Sequence, residues 1–236
     1  MTKSHAFLAP VVPGKTEKLR AMVKEAQGPR RTEHTESRER LNLTHERVFH
    51  QPTPQGELCV IFVEGPGADK LTEGLSKSDQ PYDKWFREEL AQIHGIDFSQ
   101  GPAAAPKSEL AFTYEGEGTG GTATGFAAPI VKLDDWRKLV AEMKGPRKEE
   151  HAASRRRLGI AREQAFHTST PQGDFVIVYL EGKDAGTAMQ RMAESNDAYD
   201  KWFTEQITDV HGLDLTKPLP KNEELLHWQK EPATVR

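Results

Sequence analysis

Thr53-Pro54-Gln55-Gly56 and Tyr82-Asp83-Lys84-Trp85-Phe86 each occur twice, returning as Thr170-Pro171-Gln172-Gly173 and Tyr199-Asp200-Lys201-Trp202-Phe203, both 117 residues later. The same offset carries Gly28-Pro29 onto Gly145-Pro146, Phe49-His50 onto Phe166-His167, and His94-Gly95 onto His211-Gly212. Self-similarity at one fixed period means tandem copies of one structural unit. The 236 residues therefore divide into two repeats of roughly 95–110 residues, each large enough to bury a core. The boundaries read as a first repeat over 1–98, a connector over 99–124, a second repeat over 125–215 and a tail over 216–236. The copies also serve as an internal comparison, because each position shows which side chain both halves kept.

Each copy reads β-α-β-β-α-β. Ala6 to Val12 is an apolar run closed by Pro13-Gly14, a strand and a turn. Leu19, Met22, Val23 and Ala26 then repeat at helical spacing, matched by Trp136, Leu139, Val140 and Met143. Gly28-Pro29 reads as a glycine ending that helix and a proline in the first turn of the next, which runs to about Asn42. Glu46 to Gln51 and Glu57 to Glu64 flank the Thr-Pro-Gln-Gly turn as a hairpin. Leu58-Cys59-Val60-Ile61-Phe62-Val63 is apolar at consecutive positions, so both faces of that strand are expected to be covered. A helical stretch from Ala68 to Lys77 precedes a last helix bearing Tyr82, Trp85, Phe86, Leu90 and Ile93, and a short strand is expected to begin at Ile96-Asp97-Phe98. Inside the connector, Pro106-Lys107-Ser108-Glu109 echoes Pro220-Lys221-Asn222-Glu223 of the tail. Leu110-Ala111-Phe112 and Leu225-Leu226-His227-Trp228 are thus read as equivalent docking arms.

This element order is the ferredoxin-like unit. Doubled, and with a sheet apolar on both faces, the chain resembles the dimeric α/β-barrel superfamily, where two such sheets pack face to face from two chains or from one fused chain. Glu46-Arg47-Val48-Phe49-His50 with its turn, and Ser78 followed by the Tyr82–Phe86 motif, look like a bacterial branch of it, distantly similar to antibiotic-biosynthesis monooxygenases. The resemblance implies an α+β fold of two tandem ferredoxin-like repeats whose antiparallel sheets form an intramolecular barrel. That superfamily includes cofactor-free monooxygenases, haem-degrading enzymes, isomerases, cyclases and proteins without chemistry, so the fold does not select among them.

Formal net charge is −4, which implies no general attraction to nucleic acid or an anionic membrane. Arg155-Arg156-Arg157 corresponds to Arg38-Glu39-Arg40, so it reads as a solvated helix surface and not a phosphate track. Cys59 is the only cysteine and its counterpart is Val176, which reads as a buried, inert thiol. The N-terminal residues lead into no long apolar run, so neither signal peptide nor membrane span is expected, and a cytoplasmic setting is the default.

Candidate chemistry concentrates on the helix after Gly-Pro. Both copies keep Arg30/Arg147, His34/His151, Ser37/Ser154, Arg38/Arg155 and Leu41/Leu158. At about 100° per residue these share an arc of about 100°. Two readings stand. One is an anion- or enolate-holding pocket in which His34 and His151 move a proton, Arg38 and Arg155 fix charge, and Arg30, Ser37, Arg147 and Ser154 add ligand contacts. The other is a buried ion-pair and capping network joining helix to sheet. Glu46/Glu163 and His50/His167 share one strand face by the two-residue period, as an acid–base pair or as partners meeting across a pseudo-twofold. Phe49/Phe166 is expected on the other face, in the helix-side core.

His34, His50 and Glu46 would make a two-His-one-carboxylate set, but their spacing does not demand a metal, and neither metal nor cofactor is expected. Tyr82/Tyr199 and Trp85/Trp202 read as packed helix face or as aromatic pocket wall, with Asp83 at the helix dipole or as a base. His94/His211 reads as an imidazolium against the last carbonyls of its helix. The pattern as a whole implies a small-molecule binder, in its enzymatic form a cofactor-independent oxygenase or isomerase on an aromatic or enolisable substrate. The alternative is a non-catalytic structural protein. Either way the chain is a monomer with pseudo-twofold symmetry or a homodimer.

Overall fold

The computed structural model describes residues 3–97, 108–118, 120–215, 217 and 221–232. The chain forms two compact units, Met1–Lys107 with Glu223–Arg236, and Ser108–Asn222. The first contains β1 (Ser4–Val11), α1 (Thr16–Gln27), α2 (Arg31–Arg40), β2 (His45–Thr53), β3 (Gly56–Glu64), α3 (Leu71–Lys77), α4 (Pro81–His94) and β8 (Glu223–Gln229). The second contains β4 (Ser108–Glu115), β5 (Thr122–Pro129), α5 (Leu133–Lys144), α6 (Lys148–Arg157), β6 (Ile160–Thr170), β7 (Gly173–Gly182), α7 (Ala188–Ala193) and α8 (Ala198–His211). Each unit has a four-stranded antiparallel sheet, ordered β1-β3-β2-β8 and β4-β6-β7-β5.

Two assignments differ from the sequence reading. Ile96 and Asp97 are not in a strand, and Phe98 lies outside the described residues. The fourth strand of each sheet is instead one of the two arms: β8 from the tail pairs with β2, and β4 from the connector pairs with β6. Both pairings carry a register shift at the equivalent place, between Val48 and Phe49 and between Leu110 and Phe112. Each sheet is thus completed by the segment that follows the other repeat's last helix. The second difference is at Pro29, since Gly28 ends α1 as expected, with φ −112°. A Cβ there would stand 3.0 Å from the Lys24 carbonyl oxygen, so close approach is what calls for glycine. Pro29 lies in the turn before α2 and not inside it.

Local signals explain the helices nearest the site. α4 opens with Pro81 at its first position and closes at Gly95 in the left-handed conformation (φ 66°), the pairing that pre-sets φ at one end and relieves Cβ crowding at the other. α1 buries Leu19, Met22, Val23 and Ala26 against the sheet. Burial of a Leu or Met side chain stabilises by about 1.5–3 kcal/mol. Alternation along β2 aims Glu46 and Val48 at the helices. Phe49 (1% exposed) therefore belongs to the opposite face with Val60 and Phe62, not to the helix-side core expected for it. Both faces of β3 are buried, Cys59 and Val63 on one and Val60 and Phe62 on the other.

Candidate functional site

The polar stripe of α2 is buried. His34, Ser37 and Arg38 are 2%, 0% and 0% exposed, and their copies on α6, His151, Ser154 and Arg155, are equally hidden. Helix α2 is strongly polar overall, and only this stripe turns inward to meet β2 and α4. Arg38 Nε and Nη2 donate to the two carboxylate oxygens of Glu46 at 2.6 and 3.1 Å, a bidentate pair. Arg38 Nη1 donates to Ser37 Oγ at 3.3 Å, and its guanidinium lies 4.5 Å over the Phe86 ring. Ser37 Oγ donates to Asp83 Oδ1 at 2.5 Å, and Ser78 and Arg40 donate to the other oxygen of Asp83. His34 Nδ1 stands 2.8 Å from the Tyr82 hydroxyl and Nε2 stands 3.1 Å from Glu46.

The second copy repeats the arrangement. Arg155 donates to both oxygens of Glu163 at 2.5 and 3.1 Å, and His151 bridges Tyr199 at 2.8 Å and Glu163 at 3.0 Å. Ser154 Oγ donates to Asp200 Oδ1 and accepts from Arg155 Nη1 at 3.3 Å, while Ser195 and Arg157 donate to Asp200 Oδ2. Ser37 and Ser154 are candidates for ligand contact on the sequence. Each hydroxyl has one proton, and it is spent on the buried aspartate of α4 or α8, so these serines join helix to helix and offer no free donor. The His34–Glu46 contact is less well aligned than its copy, leaving Nε2 without a full hydrogen bond.

Charge follows from this packing. Burial alone would push the Glu46 carboxyl up, but the adjoining Arg38 guanidinium overcomes that and holds it far below the usual range; Arg155 does the same to Glu163. Burial, reinforced by Arg38, lowers the His34 value, and His151 is lowered likewise beside Arg155. Burial raises Tyr82 and Tyr199. At neutral pH the set is therefore arginine cation, glutamate anion, neutral imidazole and neutral phenol. A carboxylate only accepts hydrogen bonds, so the imidazole N–H faces Glu46 and Nδ1 accepts from the Tyr82 hydroxyl. None of these groups is tuned toward neutrality, where general acid–base catalysis is most effective.

The remaining sequence candidates lie at the edge of this cluster or beyond it, with Arg30 and Arg147 4.9 and 5.2 Å over the Tyr82 and Tyr199 rings. Arg30 and Arg147 are partly exposed, paired with Glu33 and Glu150 at 2.7 Å and stacked 4.1 and 3.7 Å from the Trp85 and Trp202 rings. His50 stands 3.3 Å from Glu57, and His167 hydrogen-bonds Asp174 at 2.8 Å, beside the Trp136 ring. Glu46, His50 and their copies each meet partners inside their own unit. His94 and His211 are also placed differently than expected. Their Nδ1 atoms contact the Pro10 and Pro129 carbonyls at 2.8 and 2.7 Å, tying α4 to β1 and α8 to β5, and burial lowers their values, so they are neutral donors and not imidazolium caps. Among the described residues, no group of three or more His, Cys, Asp or Glu is placed to hold a metal. No helix among them is long and apolar enough to cross a membrane.

The sequence leads to a polar-walled pocket between helix and sheet in each repeat; what it does not announce is that the cavity of about 90 Å³ between the helices and the sheet of the first unit is mostly apolar. Leu19, Met22, Cys59, Ile61, Leu75 and Phe86 contribute to its wall, and Arg38, Glu46, Thr72 and His94 are its polar members. His34, Ser37, Tyr82 and Trp85 do not line it. Leu226 of β8 does, so the C-terminal strand is part of the enclosure. The single hint in the sequence is Ala26, a small residue in an otherwise bulky helical stripe. Cys59 is 2% exposed and burial pushes its thiol up to about 12, which makes it an inert wall residue.

No protein-family model and no curated protein matches the sequence. Among solved structures, a candidate monooxygenase of Fusobacterium nucleatum subsp. nucleatum ATCC 25586 is similar over 97% of this chain and 94% of its own, at 10% identity and a TM-score of 0.51. An anthrone oxidase-like protein aligns over 100% and 96% at 14% identity and a TM-score of 0.48. A candidate monooxygenase of Lactobacillus acidophilus NCFM aligns over 97% and 96% at 8% identity and a TM-score of 0.41. At these identities the likeness speaks to architecture, and the chain shares with the Fusobacterium protein a duplicated α+β fold of two four-stranded antiparallel sheets.

Proposed function

We propose that the chain binds a small, largely apolar molecule in the first unit, between α1, α4 and the sheet, with the polar cluster as the frame of that chamber. The observation that carries this reading is the apolar cavity reaching the buried Arg38–Glu46 pair. Its volume of about 90 Å³ is well below the ~300–1,000 Å³ of pockets for drug-sized ligands. It is nearer the ~150 Å³ of an engineered apolar cavity that takes benzene. The ligand portion it encloses is therefore no larger than one small ring or a short chain. In its enzymatic form this reading is a cofactor-independent oxygenase on an aromatic or enolisable substrate; the name of the Fusobacterium protein that shares the fold supports the oxygenase class alone.

The framework role of His34, Ser37, Arg38 and their copies rests on prior commitment. Every nitrogen of Arg38 already meets Glu46 or Ser37, and its charge is balanced by the Glu46 carboxylate, so a substrate anion would have to displace a bidentate partner. Arg155 is committed to Glu163 and Ser154 in the same way.

Native mass spectrometry of the purified full-length chain tests the binding reading. A bound molecule of defined mass that leaves on denaturation, and that slows labelling of Cys59 by a thiol reagent when added back, is the expected result. A chain that carries nothing, and whose thiol reacts at one rate with or without small apolar and aromatic compounds, overturns it.

A further inference from the structure

A second space lies directly outside the first. It is a surface groove of about 430 Å³ between α1 and β8, bordered by Arg20, Val23, Lys24, Gln27, Glu223 and Leu225. Val23 lines both the groove and the interior cavity, so one valine side chain forms part of the partition between them. The seam above it is held lightly. Gln27 Nε2 donates to the Leu225 carbonyl at 2.9 Å, and Arg20 pairs with Glu223 at 2.7 Å, both in exposed positions. Leu225 also sits where the β2–β8 register shifts.

The charges in the groove are unequal in their commitments. Arg20 is shared between Glu17 and Glu223, and Glu224 is taken by Arg47 at 2.5 Å. Lys24 makes no ion pair among the described residues and is exposed on the groove wall. The second copy changes this seam. Lys24 becomes Ala141, Ala26 becomes the buried Met143, and the strand residue facing the cavity changes from Leu226 to Phe112. Leu226 and Phe112 are equivalent because they pair with Val48 and Ala165. The nearest lysines in the copy stand three residues to either side, at Lys138 and at Lys144, the counterpart of Gln27. The buried polar cluster is kept in both repeats while the entrance is not, which is the pattern of a frame common to both units and a binding route particular to one.

We propose that the first unit takes a short-chain carboxylate, its hydrocarbon in the cavity and its anionic head on Lys24, entering through the α1–β8 seam past Val23. This rests on the reading that the first unit binds a small molecule, and adds the ligand class and the way in. A hydrocarbon chain suits a wall that is mostly apolar, its polar residues being the self-neutralised Arg38–Glu46 pair, Thr72 and His94. A single uncommitted ammonium at the mouth selects an anion without requiring a buried charge.

The test uses the full-length chain with methyl-labelled methionine, titrated with butanoate, hexanoate and octanoate and with the alcohols of equal length. The carboxylates are expected to move the Met22 methyl signal and raise the melting temperature, leaving the Met143 and Met192 signals in place. Lys24→Ala is expected to weaken hexanoate about two- to fivefold, the scale of an exposed ion pair, and to leave hexanol unchanged. Ala26→Met, which installs the second copy's residue, is expected to remove binding of both. Signals moving equally in the two units, hexanol binding as tightly as hexanoate, or Ala26→Met binding undiminished would overturn the proposal. Should Ala26→Met fail to fold, the exposed Lys24→Ala change still decides the head-group claim. A native ligand retained by the chain while every carboxylate is silent overturns this proposal alone. Silence in both overturns the reading beneath it as well.

Discussion

Arg38 holds both carboxylate oxygens of Glu46, eight residues away on the next strand, and the two side chains are 1% and 4% exposed. Such a pair is a poor source of net stability, since desolvating two charges offsets most of their attraction. Its consequence is conditional: each partner is tolerable only because the other is present. The pair therefore fixes how α2 sits on β2, and its duplicate fixes α6 on β6.

Glu46→Gln removes the anion and leaves Arg38 buried beside a neutral amide. The expected loss is about 3–5 kcal/mol of unfolding free energy, read by urea denaturation. The double change Arg38→Met with Glu46→Leu removes both charges and is expected to recover most of that loss. A double variant no more stable than the single one would show that the pair contributes more than mutual compensation.

Two acid-sensitive windows follow from the shifted groups. His34, His151, His94 and His211 all have folded values below the ordinary 6.5. The unfolded chain therefore binds protons first as pH falls, and stability is full above about 6.5 and declines below it toward the folded values. Glu46 and Glu163 have folded values far below the ordinary 4.5, so their contribution is full above about 4.5 and is lost only in stronger acid. Melting temperature against pH is expected to fall in two stages, and His94→Gln with His211→Gln is expected to flatten the first. A profile flat from pH 7 to about pH 5 would contradict neutral burial of the histidines.

The legible part of this structure was the part written twice or written locally. The Thr-Pro-Gln-Gly turn fixes β2–β3, and retention of His34, Ser37 and Arg38 as His151, Ser154 and Arg155 at helical spacing marks the buried stripe. The partners were harder, because they are set by how elements cross. Helical spacing groups Ser154 with ligand contacts, yet its hydroxyl belongs to Asp200, 46 residues on. Glu46 was placed on a covered face, yet its partner is Arg38 and not His50. Phe49 has the parity that the sequence implies but lies on the other side: in a strand layer buried on both faces, alternation separates two sets without saying which set meets the helices. His94 meets a carbonyl 84 residues earlier, which no local pattern announces. The cavity had the weakest signature, since a missing volume leaves no motif beyond the small Ala26.

Strand β8 gives the sharpest consequence of the topology. It brings Leu226 and Trp228 into the first unit, 3% and 8% exposed, and Trp228 Nε1 donates to Thr35 Oγ1 at 3.1 Å. A chain ending at Asn222 loses both side chains, the ladder to β2, and the ion pair between Arg47 and Glu224. Truncating one buried Leu costs about 2–5 kcal/mol and one Trp about 3–5. Together these approach the whole stability of a typical domain, about 5–15 kcal/mol. The second unit keeps all four of its strands, because β4 precedes the cut. Amide hydrogen exchange on the shortened chain is expected to show lost protection in β1, β2 and β3 and retained protection in β5, β6 and β7. Equal loss in both sets would mean that the second unit depends on β8 as well, and unchanged protection in the first would mean that its sheet does not need its fourth strand. The same amides, followed in Trp228→Ala, separate the two effects of that strand: if the ladder itself carries the stability, β2 stays protected when only the indole is removed.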